Sequence, residues 1–229
     1  MSNLKIYTNT VSPSLLETFY KLSEIKELQH CRLVGGTALS LLFGHRLSID
    51  IDLFTDQDYQ TLDFENLLKS LKQRFEYVET STIDIVGMGK MFYVGKSKEE
   101  NIKVDVFYTE PFIGKGIFME KGLPIASLKD IIPMKVNAVM NRGSRKDFWD
   151  LHEILERFSM KEIMEMYQDK YPYLDLEKEQ IEKMYHFDRA NYEGDYPICL
   201  KGKIWDLIKS DIEFSIKEFL RQNKRGLKM

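Results

Sequence analysis

Leu33-Val34-Gly35-Gly36-Thr37-Ala38-Leu39, followed by Gly44-His45-Arg46-Leu47-Ser48-Ile49-Asp50-Ile51-Asp52-Leu53-Phe54, organises the front half of this chain. Cys31 to Val34 reads as a short strand running into a Gly35-Gly36 turn. Thr37 is placed to cap a short helix, Ala38 to Phe43, which Gly44 ends. Ser48 to Phe54 is then a strand in which alternate residues share a face, so Asp50 and Asp52 converge while Ile51 turns to the core. Leu47, Ile49, Ile51, Leu53 and Phe54 make it a buried strand, where unpaired charge is costly. Two neighbouring carboxylates repel unless a cation sits between them. Hard oxygen ligands of this kind suit Mg²⁺, which takes one or two carboxylates plus substrate phosphates. The two glycines permit close backbone approach to a ligand, and amides at a helix start hold phosphate.

Working outward, Ser14 to Leu28 has the apolar spacing of an amphipathic helix, and Asp63 caps another through Phe75. Tyr77 to Val86, Met91 to Gly95 and Ile102 to Tyr108 read as strands. On the last, Lys103, Asp105 and Phe107 share one face, and Asp105 joins the first pair if this strand lies beside that of Asp50. Ile117 to Ile125 is expected to add an edge strand. From Ser127 onward the chain reads as helical, with cap signals at Ser127, Ser159 and Asp175. The last helix, Ile204 to Leu220, sets Ile204, Leu207, Ile208, Ile212, Ile216 and Leu220 on one side. The expectation is an α+β fold: a core over residues 1–126 and a helical C-terminal region, residues 127–229, packed on it.

The second informative block is Met134-Lys135 to Asn141-Arg142-Gly143-Ser144-Arg145-Lys146-Asp147-Phe148-Trp149-Asp150-Leu151. Lys135 and Arg142 lie two turns apart along a helix, and Asp147 and Asp150 are neighbours on the next. These charges form either an inter-helix salt-bridge network or, beside a metal–phosphate site, a clamp on a triphosphate. His45 and Arg46, just before the carboxylate strand, are placed to face the phosphate turn. Other signals fail: Val94-Gly95-Lys96-Ser97 sits in a hairpin and is no P-loop, and His152-Glu153 lacks a second zinc histidine.

The chain has 229 residues, 43% apolar and 30% charged, with a formal charge of −3. That composition is ordinary for a soluble domain and gives no global push toward nucleic acid. The basic clusters Arg142 to Lys146 and Asn223 to Lys228 read as solvated faces, with a local nucleic-acid groove as the alternative. Cys31 and Cys199 form no metal spacing or disulfide framework, and no apolar run is long enough to span a bilayer. The expected location is the cytoplasm, with no membrane partner.

The two opening motifs, taken with the Lys135-to-Leu151 block, resemble the AbiEii/AbiGii-type toxin nucleotidyltransferases of the DNA polymerase β-like superfamily. The resemblance spans about Leu33 to Arg157. It implies a mixed-sheet nucleotidyltransferase core with a helical C-terminal region. An NTP would be held by Gly35, Gly36 and Thr37, with His45, Arg46, Lys135 and Arg142 on the nucleotide. A two-metal Mg²⁺ site would be held by Asp50, Asp52 and Asp105. Lys135 and one of Asp147 and Asp150 would take the family's later catalytic positions, the pattern leaving open which acid. The reaction implied is transfer of an NMP to a hydroxyl acceptor, tRNA or protein, in a toxin paired with an antitoxin. A non-catalytic nucleotide-binding regulatory module and a toxin acting through protein contacts are the alternative readings. A metal-dependent nuclease would not need the glycine turn.

Overall fold

A computed structural model of the chain describes residues 5–80, 88–174, 176–194 and 196–223. The chain divides into two compact units, Met1–Ser127 and Leu128–Met229. The first is a mixed sheet with helices. Its strands among the described residues are β1 (Arg32–Val34), β2 (Asp50–Thr55), β3 (Tyr77–Thr80), β4 (Gly89–Gly95) and β5 (Asn101–Tyr108), in the order β1-β2-β5-β4-β3. β2 and β5 are parallel and every other pair is antiparallel. Residues 81–86 of the expected third strand lie outside the described residues.

Period-two alternation decides which sheet face is buried. Ile51, Leu53, Phe92, Val94, Val104 and Val106 are buried. Asp50, Asp52, Lys103 and Asp105 alternate with them and stay partly open. Ile49 is an exception to the expected buried strand: it precedes β2 and is 62% exposed, so only one face of the strand is core. Helices α1 (Pro13–Ser23) and α2 (Gly35–Phe43) both contact β2, and α1 buries Leu15, Phe19 and Leu22. Ser12 caps α1 by accepting from Leu15 N–H at 3.1 Å.

The expected long first helix stops at Ser23. Ile25 turns extended, and Lys26–Leu28 forms a 3₁₀ turn. Leu22, Ile25 and Leu28 are all buried, so the chain keeps its apolar contacts after leaving the helix. Helix α3 (Phe64–Arg74) starts as expected, with the Asp63 carboxylate accepting from Asn66 N–H at 2.9 Å. The edge strand expected over Ile117 to Ile125 does not form. Ile117 and Ile125 make one bridge, closed by backbone bonds of 2.7 and 2.8 Å, and Ile125 bridges to Leu33. Gly122, at φ +101°, and Pro124 interrupt any longer ladder.

The second unit contains α4 (Leu128–Asn141), α5 (Arg145–Leu155), α6 (Met160–Lys170), α7 (Lys178–Glu182), α8 (Asp188–Tyr192) and α9 (Trp205–Asn223). Helix α4 contacts α5 and α6, and α5 contacts α9. Ile132, Val136, Phe148, Leu151, Ile163, Ile208, Ile212 and Ile216 form its core. The expected inner face of the last helix loses two members. Ile204 precedes α9 and is 61% exposed, and Leu207 is 60% exposed, because the buried stripe runs every fourth residue from Ile208 to Leu220. Ser159 and Glu162 form the expected capping box of α6, whereas Asp175 lies outside the described residues. No helix among the described residues is long and apolar enough to cross a membrane.

Candidate active site

The carboxylates meet through strand register. In the parallel β2–β5 pair, Asp50 lies opposite Lys103 and Asp52 opposite Asp105. Adjacent strands are about 4.8 Å apart, so these four side chains occupy one small patch of the open face. Lys103 donates to Asp105 Oδ2 in a short, partly exposed ion pair. Burial alone would depress the Lys103 ammonium, but the Asp105 bond and the fields of Asp105, Asp50 and Asp52 raise it above the ordinary lysine range. Asp105 Oδ1 is buried and has no hydrogen-bond partner among the described residues.

Helix α2 begins directly against this patch. Gly35 opens it at φ +70°, and a Cβ built there would overlap Asp52 Oδ2 and lie 2.8 Å from its Cγ. A Cβ on Gly36 would overlap Arg46 Nη2 and lie 3.3 Å from its Cζ. Gly35 is therefore needed for close approach, whereas the neighbour of Gly36 is the end of a long side chain. The backbone at this point is the first turn of a helix, not a separate loop. Thr37 is consequently not the cap: Val34 stands at that position, with no side-chain cap bond. The Thr37 hydroxyl instead hydrogen-bonds the Ser48 hydroxyl at 2.8 Å and donates to the Asp50 backbone carbonyl. It thereby ties the start of β2 to the helix. Arg46 is buried, and its Nη1 donates to the Leu47 carbonyl at 3.0 Å. His45 is buried with its ring edge-on to Phe43, centroids 6.3 Å apart.

The hard oxygen donors of Asp50 and Asp52, with Asp52 pressed against the opening of α2, fit a divalent cation accompanied by phosphate. Asp50 and Asp52 are the pair such an ion would use. Among the described residues, no set of three His, Cys, Asp or Glu side chains stands in ligating geometry, and Asp105 is engaged by Lys103. Sequence reasoning put Lys103 on the correct face without giving it a role. The signal was its i, i+2 spacing from Asp105 on one strand.

The remaining candidates lie in the helical unit. Lys135, on α4, is buried between two α5 carboxylates, 3.0 Å from Asp147 Oδ1 and 2.8 Å from Asp150 Oδ2. Arg142 reaches Asp147 in a bidentate pair, Nε to Oδ2 and Nη2 to Oδ1 each 2.9 Å. The Ser144 amide and hydroxyl add bonds of 3.1 and 2.6 Å to Asp147 Oδ2, closing a capping box at the start of α5. Burial pushes the Asp147 carboxyl upward, but Lys135, Arg142 and Ser144 outweigh it and hold it well below the usual carboxylate range. The basic run expected as a solvated face is thus divided. Arg145 is buried, donating to the Gly194 and Asn191 carbonyls at 2.7 and 3.0 Å and lying over the Tyr196 ring.

Residues 18–201 match the family described as nucleotidyl transferase AbiEii toxin, type IV toxin–antitoxin system. The chain belongs to the AbiEii family. It is 28% identical over 201 residues to an uncharacterized protein of Aquifex aeolicus, covering 82% of this chain and 87% of the relative. The fold is shared with JHP933 from Helicobacter pylori, with a TM-score of 0.57, 16% identity and 93% of each chain covered. It is also shared with the nucleotidyltransferase toxin MenT4 of Mycobacterium tuberculosis, with a TM-score of 0.51, 14% identity, and 86% of this chain and 78% of that one covered. As an AbiEii member the chain is a nucleotidyltransferase, and its α+β mixed-sheet core is the fold of these neighbours.

Proposed function

We propose that this AbiEii protein transfers a nucleoside monophosphate from an NTP to a hydroxyl acceptor, with Asp50, Asp52 and Asp105 as its reacting-end carboxylates. The observation that carries the reading is the placement of Asp52 against Gly35 at the opening of α2, in register with Asp105. The helix start offers amides to phosphate where the carboxylates meet. Buried Arg46, beside Gly36, adds a cation on the same phosphate side. Bound Mg²⁺ would neutralise triphosphate charge and polarise the reacting phosphate.

In the transfer, the acceptor oxygen bonds to the α-phosphorus as the α–β bridging P–O bond breaks and pyrophosphate leaves. The hydroxyl proton passes to the Asp105 carboxylate, which stands in register with Asp52. Such chemistry asks little covalent work of the protein, so positioning and charge dominate. Lys135, fixed by Asp147 and Asp150, is assigned in this reading to the family's later nucleotide-binding motif. The acceptor would be tRNA or protein, and the family supports a separately encoded antitoxin as functional partner.

The test is transfer of label from α-labelled NTPs to cellular RNA and protein. Asp50→Asn and Asp52→Asn should each reduce transfer by at least about 100-fold. Undiminished transfer by the double variant overturns the assignment.

A further inference from the structure

The ammonium of Lys103 stands on Asp105, the carboxylate that a two-ion arrangement would need for its acceptor-side ion. Register puts the lysine there by construction. Lys103 is opposite Asp50 on the neighbouring parallel strand and two residues before Asp105 on its own, so its side chain projects from the face that carries all three acids. The lysine is also half-sheltered, its side chain 31% exposed against 16% for Asp105, so this is no freely solvated surface pair.

A divalent ion added at Asp105 would meet a fixed positive charge at contact distance. An ammonium offers charge and hydrogen-bond donors in one compact group without a coordination shell to complete. We propose that Lys103 replaces the second metal ion. The wild-type site then takes a single divalent ion at Asp50 and Asp52 with the triphosphate, and the Lys103 ammonium supplies the other positive charge at Asp105. Lys103 is thereby a positioning residue for Asp105, holding its Oδ2. The inference rests on the nucleotidyl-transfer reading but makes a separate claim about ion count.

Calorimetric titration of Mn²⁺ into the full chain with a non-hydrolysable NTP analogue counts the ions, and electron paramagnetic resonance reports whether two Mn²⁺ are spin-coupled. Wild type and Lys103→Arg should bind one Mn²⁺ with an uncoupled spectrum, and Lys103→Met should bind a coupled pair. Melting curves establish that each variant is folded, with Lys103→Gln replacing a Lys103→Met chain that is not. Two coupled ions in the wild type overturn the proposal and leave the transfer reading standing, as does a single ion in the folded neutral variant. Absence of Mn²⁺ binding in every variant overturns both.

Discussion

Gly35 and Asp52 share a space that admits no further atom: a Cβ on the glycine would overlap the aspartate Oδ2 and lie 2.8 Å from its Cγ. The glycine also sits at φ +70°, which L side chains resist. Gly35→Ala should therefore displace Asp52 and strain the first turn of α2 together. The expected outcome is a loss of transfer of about 100-fold with a stability loss of about 1–3 kcal/mol. Steady-state kinetics beside a urea titration check it, and wild-type kcat in the alanine variant would refute the close approach.

Gly36 has a different neighbour. Its Cβ would strike the end of the Arg46 side chain, which is flexible enough to yield. Gly36→Ala should leave the fold intact while raising KM for NTP by about tenfold, the scale of one lost charged contact. Arg46→Ala should do the same, and the double variant should be no worse than either single one, because both remove the same contact. Additive losses would show that Arg46 and Gly36 act separately.

Most of the α+β architecture was legible because period-two and period-3.6 patterns are local. The Asp50-Ile51-Asp52 alternation, the Asp63 cap and the Ser159–Glu162 box all appear where those patterns place them. Thr37 misled because cap rules look only along the chain, whereas its hydroxyl is taken by Ser48 and Asp50 across the fold. The pairing of Asp52 with Asp105 was only conditional in the sequence, since nothing local fixes which strands adjoin. Lys103 went unassigned for a related reason. A lysine beside an aspartate on a strand is unremarkable until register sets Asp50 and Asp52 next to it.

Asp147 gathers Lys135, Arg142 and Ser144 at one buried carboxylate. Asp147→Asn should cost about 3–5 kcal/mol, because Lys135 would keep its charge in the interior with one partner fewer. Chemical denaturation at neutral pH measures this. A change below about 1 kcal/mol would mean that the network is not held together by charge.

Acid stability should depend on Glu153. Burial pushes its carboxyl up, but hydrogen bonds from Lys201 and Lys203, with Arg157 nearby, bring it down to about 2 from an ordinary 4.5. The folded value is depressed, so the stability it contributes is fully present above pH 4.5 and is lost as pH falls from there toward about 2. Glu153→Gln should be less stable at neutral pH and show a shallower decline across that interval. Urea midpoints measured against pH decide this, and identical slopes in the two proteins would remove Glu153 from the account.

The parallel pairing of β2 with β5 also sets a clock. Asp50 and Asp52 emerge from the ribosome with their helix, but the strand bearing Lys103 and Asp105 follows only after α3, β3 and β4 have been made. Closing that long loop is the slow part of such a topology. A chain truncated before Asn101 carries the glycines and the first acids without the strand that completes the patch. The order of synthesis therefore withholds the acidic patch until the central strand of the sheet has been made.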